Sequence, residues 1–335
     1  MFFVTTIRTE RQQMRRNPVL AAVLAILLAM CATFASADEF PSRRITLIVP
    51  FPAGSATDGI ARRLAVDLGK IADVPVIVEN KPGADGNIAA MSVLRSDPDG
   101  YTVFVTTNST QAANVNLFKT MPFDPKVDFA PVSGLVKIPM MLTVRTDFPA
   151  KNLAEYIAMA KKSASPLTFG TANQTGRGAG ELFKVREGLS ITNVPYRGSP
   201  QALTDLLGGH VDSIFSDPVS AAGLIQKGAL RVLAVTSAKR APTMPDVPSF
   251  DESGLPGFEL IAWVAAYVPA KTPKANVLKL NVIINTVLND PATASFLSAT
   301  GATPFPTTPE QLASFAETDT RRWAMIVEAA KMEKQ

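Results

Sequence analysis

Short, strongly apolar runs alternate along this chain with segments whose apolar residues recur at helical spacing. The runs are nearly continuous, which is typical of strands covered on both faces. We predict strands at residues 44–51, 74–79, 101–107, 139–145, 167–171, 191–196, 213–216, 230–236 and 259–268. This alternation of strands and helices predicts an α/β fold built on mainly parallel sheets flanked by helices.

One predicted helix has clear signals at both ends. Ser199 is placed at its N-cap and Pro200 at its first helical position, and glycines 208 and 209 follow its last apolar residues. Serine caps helices well, and proline is tolerated in the first turn, where its missing N–H is not needed. Two further helices are predicted at residues 275–288 and 309–331.

Two loops rich in Gly, Ser and Thr each join a predicted strand to a predicted helix. The first covers residues 50–58 and the second covers residues 170–176. At such a junction, backbone N–H groups and the positive end of the helix dipole favour an anion. In the first loop Thr57 or Ser55 can cap the helix, while Gly54 lets the backbone approach a ligand. Ligand sites in open α/β sheets lie beyond the strands' carboxyl ends, so we expect the loops to face each other across a cleft.

A routinely capped helix start is the plainer interpretation of the first loop taken alone. The second loop repeats the same donor chemistry with Thr171, Asn173 and Thr175, which favours a shared anion site. Asp217 follows a predicted strand and is a plausible cleft residue. For Trp263, core packing is the favoured interpretation.

The second loop continues into glycines at 176–180 that weakly resemble a dinucleotide-binding fingerprint. These glycines lie several residues past the strand, and about 20 residues on stand Tyr196 and Arg197 rather than an acid. No cofactor is therefore predicted. Arg177 is either a solvated loop charge or a partner for a second anionic group on the ligand, and the sequence leaves both interpretations open.

The first 37 residues have the three parts of a secretory signal peptide. An arginine pair precedes an apolar stretch at 19–30, and a small-residue site ends at Ala37. We therefore predict cleavage after Ala37 and a secreted mature protein, which the resemblance described below places in the periplasm. Met14 is a possible start, because residues 1–13 add nothing that a signal requires.

Composition excludes several classes of function. The leader carries +3 of the formal charge of +4, which leaves +1 and no basic field for nucleic acid. Cys31, the only cysteine, lies in the leader, and His210 is the only histidine. A thiolate or a histidine-based mechanism is therefore nearly excluded, and no carboxylate cluster is spaced for a metal. A binding protein is favoured over an enzyme.

At this point the motifs resemble a known family. Residues 50–58 resemble the Pro-[Phe/Tyr]-x-x-Gly-Gly-x-Thr-Asp loop of the Bug-type periplasmic receptors, the substrate-binding proteins of tripartite tricarboxylate transporters. The similarity extends over residues 38–335. Further matching segments are 79–87, 97–102, 123–125, 194–199, 205–212, 234–240 and 255–258.

The resemblance implies a two-lobed, type II-like clamshell that closes on a carboxylate. Residues 38–140 with 262–335 would form the first lobe, and residues 141–261 the second. The ligand would lie between the two loops, held largely by neutral donors and water. Together with the residues singled out above, it gives as predicted site residues Phe51, Gly54, Ser55, Ala56, Thr57, Asp58, Asn108, Ser109, Thr171, Ala172, Asn173, Thr175, Gly176, Arg177, Tyr196, Ser199 and Asp217.

The function that follows from the resemblance is a monomeric receptor that delivers a small organic carboxylate to a two-subunit membrane permease. A sensory receptor for a membrane kinase and, less well supported, a secreted carboxylate-acting enzyme are the alternatives. Ser55 departs from the family pattern, because it replaces a common second glycine. Ser55 is strained if that position needs a positive φ, and otherwise adds a hydroxyl donor.

Overall fold

The computed structural model describes residues 40–335, so the predicted leader, its cleavage after Ala37 and the possible start at Met14 lie outside the described residues. The strands are β1 (Ile45–Val49), β2 (Val76–Asn80), β3 (Thr102–Thr107), β4 (Phe129–Pro139), β5 (Met141–Arg145), β6 (Leu167–Thr171), β7 (Ile191–Pro195), β8 (Ser213–Ser216), β9 (Leu230–Val235), β10 (Ile261–Pro269) and β11 (Thr303–Pro304). The helices are α1 (Ala56–Ala72), α2 (Asn87–Leu94), α3 (Asn114–Leu117), α4 (Leu153–Lys162), α5 (Gln174–Glu187), α6 (Ser199–Leu207), α7 (Pro218–Gln226), α8 (Lys274–Asn289), α9 (Pro291–Ala299) and α10 (Pro309–Ala329).

The first sheet has the strand order β11-β4-β10-β3-β1-β2. β1 is parallel to β2 and to β3, whereas β10 is antiparallel to both of its neighbours, β3 and β4. Because β1 and β3 run in the same direction, their carboxyl ends at Val49 and Thr107 lie at the same edge of the sheet. The first anion loop therefore starts beside the segment that follows β3.

The second sheet has the strand order β7-β6-β8-β5-β9. β6 is parallel to β7 and β8, and β5 is antiparallel to β8 and β9. The carboxyl ends of β6 and β8, at Thr171 and Ser216, again share one edge. The second anion loop leaves from this edge, next to Asp217.

The predicted two-lobed α/β class is confirmed, but the prediction that the sheets are mainly parallel needs correction. Each sheet combines parallel pairs with antiparallel pairs, so the sheets are mixed rather than mainly parallel. In the first sheet, β10 is antiparallel to β4 because β4 leads the chain out of the sheet and β10 brings it back alongside. β4 itself was not predicted, because Pro131, Ser133 and Gly134 interrupt its apolar pattern.

Two chain segments cross between the sheets, and Thr236 joins them. β4 passes into β5 at Met140, and the return path reaches β10 through Leu260. The buried Thr236 hydroxyl accepts a hydrogen bond from Met140 N at 2.9 Å and donates to Leu260 O. Backbone bonds of 2.8 Å and 3.0 Å link the same three residues. We call this arrangement the Thr236 crossing.

The C-terminal helix α10 covers the first sheet beside β4. It begins with a capping box in which Thr308 and Gln311 exchange side-chain to backbone bonds. Trp263 of β10 is buried beneath it, and its Nε1 donates to Asp319 at 2.8 Å. Core packing of Trp263, favoured from the sequence, is what the structure shows. Within residues 40–335, no helix has both the length and the apolar character needed to cross a membrane.

Candidate binding cleft

The first anion loop is shaped by one glycine and one cap. Gly54 has a φ of 82°, a region that favours glycine, and Ser55 has a φ of −73°. Ser55 is the N-cap of α1, and its hydroxyl accepts a hydrogen bond from Asp58 N at 3.3 Å. The serine that replaces a family glycine is therefore unstrained. Ala56 and Thr57 follow at the first helical positions, where N–H groups have no intrahelical partner.

Asp58 braces this loop from inside the protein. Its carboxylate is buried and accepts hydrogen bonds from Gly54 N, Asn80 Nδ2 and Arg62 Nε at 2.9, 2.9 and 3.0 Å. Burial raises the pKa of Asp58, but the bonds from Arg62, Gly54 and Asn80 outweigh burial and hold the pKa below its usual value. The side chain thus holds Gly54 in place.

The second anion loop is capped by Asn173. Its side chain accepts a hydrogen bond from Gly176 N at 2.9 Å, and α5 begins at the next residue. Thr171, at the end of β6, donates to Asn193 Oδ1 at 2.8 Å, which ties the loop to β7. The start of α5 is thereby fixed against the second sheet.

Buried hydrogen bonds join the segment after β3 to the second loop. Asn108 Nδ2 donates to Thr175 Oγ1 at 2.9 Å, and Gln174 N donates to Ser109 Oγ at 3.3 Å. Asn108, Ser109 and Thr175 are each at most 2% exposed. The segments that follow β3 and β6, which extend from different sheets, are therefore in direct polar contact at the N-terminus of α5.

A cavity of about 30 Å³ lies between the two loops. Its walls carry hydroxyls, amides, one carboxyl, backbone and apolar groups, and neither Lys nor Arg from residues 40–335. Nine predicted site residues line it, namely Phe51, Ser55, Ala56, Thr57, Asn108, Ala172, Asn173, Ser199 and Asp217. Five further wall residues were not predicted from the sequence, namely Thr107, Ile138, Met140, Ala262 and Val264.

The missed wall residues come mainly from strands that cross between the sheets. Ile138 and Met140 belong to the end of β4 and its junction with β5, and Ala262 and Val264 belong to β10. In the sequence these apolar residues are indistinguishable from core positions. Only the position of the crossing, next to both loops, makes them part of the cavity.

The other predicted site residues lie elsewhere. Thr171, Arg177 and Tyr196 line a second cavity of about 440 Å³, which shares Asn173 with the first. The residues that line neither cavity are Gly54, Asp58, Ser109, Thr175 and Gly176. These five shape the loops or join the sheets.

Among the described residues, Asp217 is the only acidic one in the wall of the smaller cavity. It caps α7 by accepting a hydrogen bond from Ser220 N at 2.7 Å, and it accepts another from the Ser199 hydroxyl at 3.1 Å. Burial raises its pKa, against the opposing effect of these bonds. The predicted N-cap of α6 is corrected here: Gly198 holds that position and Ser199 is the first helical residue.

The lone histidine does not take part in this site. His210 is exposed after the end of α6. Within residues 40–335, no group of three or more His, Cys, Asp or Glu side chains is placed to hold a metal ion. Apart from Asp217, the cleft offers neutral hydrogen-bonding groups at two helix N-termini.

Two sheets in contact around such a cleft define a solute-binding protein of the periplasmic type. The chain belongs to the family described as "Tripartite tricarboxylate transporter family receptor", whose family model matches residues 60–332. Protein BugT of Bordetella pertussis is 35% identical over 314 residues, covering 92% of this chain and 96% of the relative. The resemblance to Bug-type receptors is thus confirmed, and the chain is a receptor rather than an enzyme.

Solved structures support the same assignment. R. palustris Rpa4515 with adipate has a TM-score of 0.86 and 33% identity, covering 89% of this chain and 100% of that chain. MatC (Rpa3494) from Rhodopseudomonas palustris with bound malate has a TM-score of 0.81 and 32% identity, covering 86% and 100%. Both superpose on the two-sheet architecture described above.

Proposed function

We propose that the protein captures a small organic carboxylate between its two lobes and delivers it to a tripartite-type membrane permease. The observation that carries this proposal is the pair of capped helix N-termini, at Ser55 and Asn173, on opposite walls of one cavity. N–H groups and hydroxyls can stabilise a desolvated carboxylate without a salt bridge. Adipate in Rpa4515 and malate in MatC, both carboxylates bound by relatives, support the same ligand class.

Binding on this proposal requires the lobes to move apart and close again. A volume of about 30 Å³ has room for a water molecule or so, not for an organic acid. The ligand-bound state closes less far than this conformation, and because it still brings both sets of donors to one ligand, a carboxylate favours it over the open state. We take residues 38–140 with 262–335 as one lobe and residues 141–261 as the other. The grouping of the strands into two sheets supports this division.

The remaining parts of the proposal concern where and with what the receptor works. Cleavage after Ala37 would release a periplasmic, monomeric receptor, and the two-subunit permease would recognise its closed form. Uptake of the carboxylate by cells that contain the permease, with and without the receptor, tests delivery. Loss of a transcriptional response with intact uptake would favour the sensory alternative.

Thr57→Val tests the site itself. Thr57 lines the cavity and, within residues 40–335, its hydroxyl makes no hydrogen bond, so valine preserves shape and internal bonding. We expect affinity for carboxylates to fall by about tenfold, the value of one lost hydrogen bond to a charged group. Isothermal titration against mono-, di- and tricarboxylates measures it.

Thr286→Val is the matched control, because Thr286 is an exposed residue of α8 whose hydroxyl donates to Val282 O within its own helix. The control should bind as the wild type does. Equal affinities of Thr57→Val and wild type would remove Thr57 from the site. A wild-type protein that binds none of the acids would overturn the function.

A further inference from the structure

A third cavity, of about 940 Å³, lies beside the C-terminal helix α10 and apart from the cleft. Within residues 40–335, it shares no lining residue with either of the cavities described above. Its described wall residues all belong to the proposed first lobe, so its shape does not depend on closure of the lobes. Its volume is in the range of small-molecule sites. We call it the α10 cavity.

The floor of the α10 cavity is a cluster of aromatic rings. Phe123 and Phe129 are in edge-to-face contact with ring centroids 5.6 Å apart, and Phe129 contacts Tyr267 in the same way at 6.5 Å. Phe118 and Met121 line the cavity as well and are half-buried. Aromatic edges and faces attract a further ring, and methionine adapts to its shape. This floor is therefore suited to an aromatic group.

The rim of the α10 cavity has an excess of positive charge. Within residues 40–335, its basic residues are Lys119, Lys126, Arg321 and Lys334, and its acidic residues are Asp124 and Glu317. Glu317 is paired with two of these cations, because its carboxylate lies 3.4 Å from both Lys126 and Arg321. Asp124 accepts a hydrogen bond from Lys126 N at 2.9 Å. Lys119 and Lys334 therefore remain as the cations of this rim that form no ion pair within the described chain.

Backbone hydrogen bonds hold these two lysines near each other. Lys119 N donates to Gln335 O at 2.9 Å, and Gln335 N donates to Leu117 O at 2.8 Å. Residue 334 is thereby placed alongside the segment that carries Lys119. Both lysine side chains line the α10 cavity, so an anion at this end of it meets two positive charges.

We propose that the α10 cavity is a second ligand site, which binds an aromatic carboxylate. The ring lies on the aromatic floor, and the carboxylate pairs with Lys119 and Lys334. Recognition here differs from that in the cleft, whose described wall carries neither Lys nor Arg. The α10 cavity thus adds a binding activity that does not rest on the proposed function.

Two probes with the same ring test the site on the chain that lacks the predicted leader. They are 3-phenylpropionate and its neutral amide, 3-phenylpropionamide, and only the acid can pair with lysine. Isothermal titration should show that wild type binds both and prefers the acid by about fivefold, as ion pairs near the surface provide. The preference should shrink at high salt, because ions screen such pairs. Equal affinities for acid and amide at low salt would overturn the proposal.

The double variant Lys119→Gln, Lys334→Gln tests the two cations. Its affinity for the acid should fall to that for the amide, while its affinity for the amide stays unchanged. The matched control is Lys227→Gln, Lys239→Gln, which removes the same charge from exposed lysines that line none of the three cavities. The control should keep the wild-type preference. An equal loss in both double variants would mean that net charge attracts the acid, and would overturn the proposal.

Ala313→Trp tests the apolar floor. Ala313 is exposed on α10 and lines the cavity, so tryptophan fills part of the space without entering the core. Both probes should bind about tenfold more weakly, because their ring loses apolar contact area. Ala324→Trp is the matched control at an exposed position of the same helix that lines none of the three cavities. Wild-type affinities in Ala313→Trp, with a wild-type melting temperature, would place the ring elsewhere and contradict the proposal.

Thr57→Val separates the α10 cavity from the cleft. Thr57 lines the cleft, so this variant should bind 3-phenylpropionate at the α10 cavity as wild type does. If Thr57→Val weakens binding of the acid and the Lys119, Lys334 variant does not, the acid binds in the cleft. The inference then fails, and the proposed function gains support. If wild type binds neither probe, the inference alone fails, because the panel of carboxylates decides the proposed function independently.

Discussion

At the scale of single residues, Asp58 belongs to a motif predicted for binding, but its observed contacts are structural. Its carboxylate accepts hydrogen bonds from Gly54, Asn80 and Arg62. The role of this side chain is therefore to fix the loop. Asp217 is the contrasting case, an acid with two bonds and a place in the cavity wall. One carboxylate therefore fixes the shape of a loop, and the other lies in the cavity wall.

Asp58→Asn should destabilise the protein in a pH-dependent way. At pH 7 we expect a loss of about 1–3 kcal/mol in the free energy of unfolding, since a buried charge with its hydrogen bonds is removed. The folded pKa lies below the usual 3.8, so this stabilisation is complete above that value and is lost as pH falls through the folded pKa. Urea unfolding of variant and wild type at pH 7 and pH 3 measures the difference.

Asp246→Asn is the control for Asp58→Asn. Asp246 is exposed, so its substitution should change stability by less than about 0.5 kcal/mol at either pH. A difference between Asp58→Asn and wild type that stays constant down to pH 3 would contradict the depressed pKa. A difference that grows on acidification would contradict it more strongly.

At the scale of elements, the Thr236 crossing carries a specific stability prediction. Thr236→Val removes one hydroxyl and leaves Met140 N and Leu260 O without their side-chain partner. We expect the free energy of unfolding to fall by about 1–3 kcal/mol, the cost of buried groups left unpaired. Thermal or urea unfolding measures it.

Thr318→Val is the matched control, because the Thr318 hydroxyl bonds to Ser314 O on the exposed face of α10. This substitution should change stability by less than about 0.5 kcal/mol. Equal stabilities of wild type and Thr236→Val would show that backbone bonds alone hold the crossing.

Elements whose signals are local could be predicted, and elements defined by distant contacts could not. Gly54, Ser55 and Asn173 act at the helix starts where their residue types belong, so the backbone shape of both loops follows from the sequence. Ser199 was placed at an N-cap by the same rule, but its hydroxyl bonds to Asp217 instead. That bond spans two helices, and no local pattern encodes it.

The limits of prediction were similar for strands. β4 is buried by helices that come more than a hundred residues later in the chain, so its burial overrides Pro131 and Gly134. The brace between Asp58 and Asn80 likewise depends on β1 pairing with β2. Tertiary contacts of this kind decide which residues of a recognised motif face a ligand.

At the scale of the whole molecule, the closed arrangement depends on a close approach between α5 and α10. A Cβ atom at Gly178 would lie 2.9 Å from Trp323 and 3.3 Å from Leu260. Gly178→Ala should therefore hold the two helices apart and prevent full closure. We expect weaker carboxylate binding and a radius of gyration that no longer decreases on addition of ligand, as small-angle scattering measures.

Gly223→Ala is the control for this closure test. Gly223 lies inside α7, and a Cβ there meets nothing within 4 Å. Alanine should leave binding and closure intact and add about 0.5–1 kcal/mol of stability. Wild-type binding and compaction in Gly178→Ala would mean that α5 and α10 can slide rather than separate.

The Thr236 crossing also limits which property of the receptor the proposed permease can recognise. Met140, Thr236 and Leu260 are tied at one point, so on the proposed function one lobe turns about that point relative to the other. A permease that contacts the outside of the receptor would then sense only the relative orientation of the lobes. Two ligands that produce the same orientation would be indistinguishable to it. Discrimination between ligands must therefore take place within the receptor, before it docks on the permease.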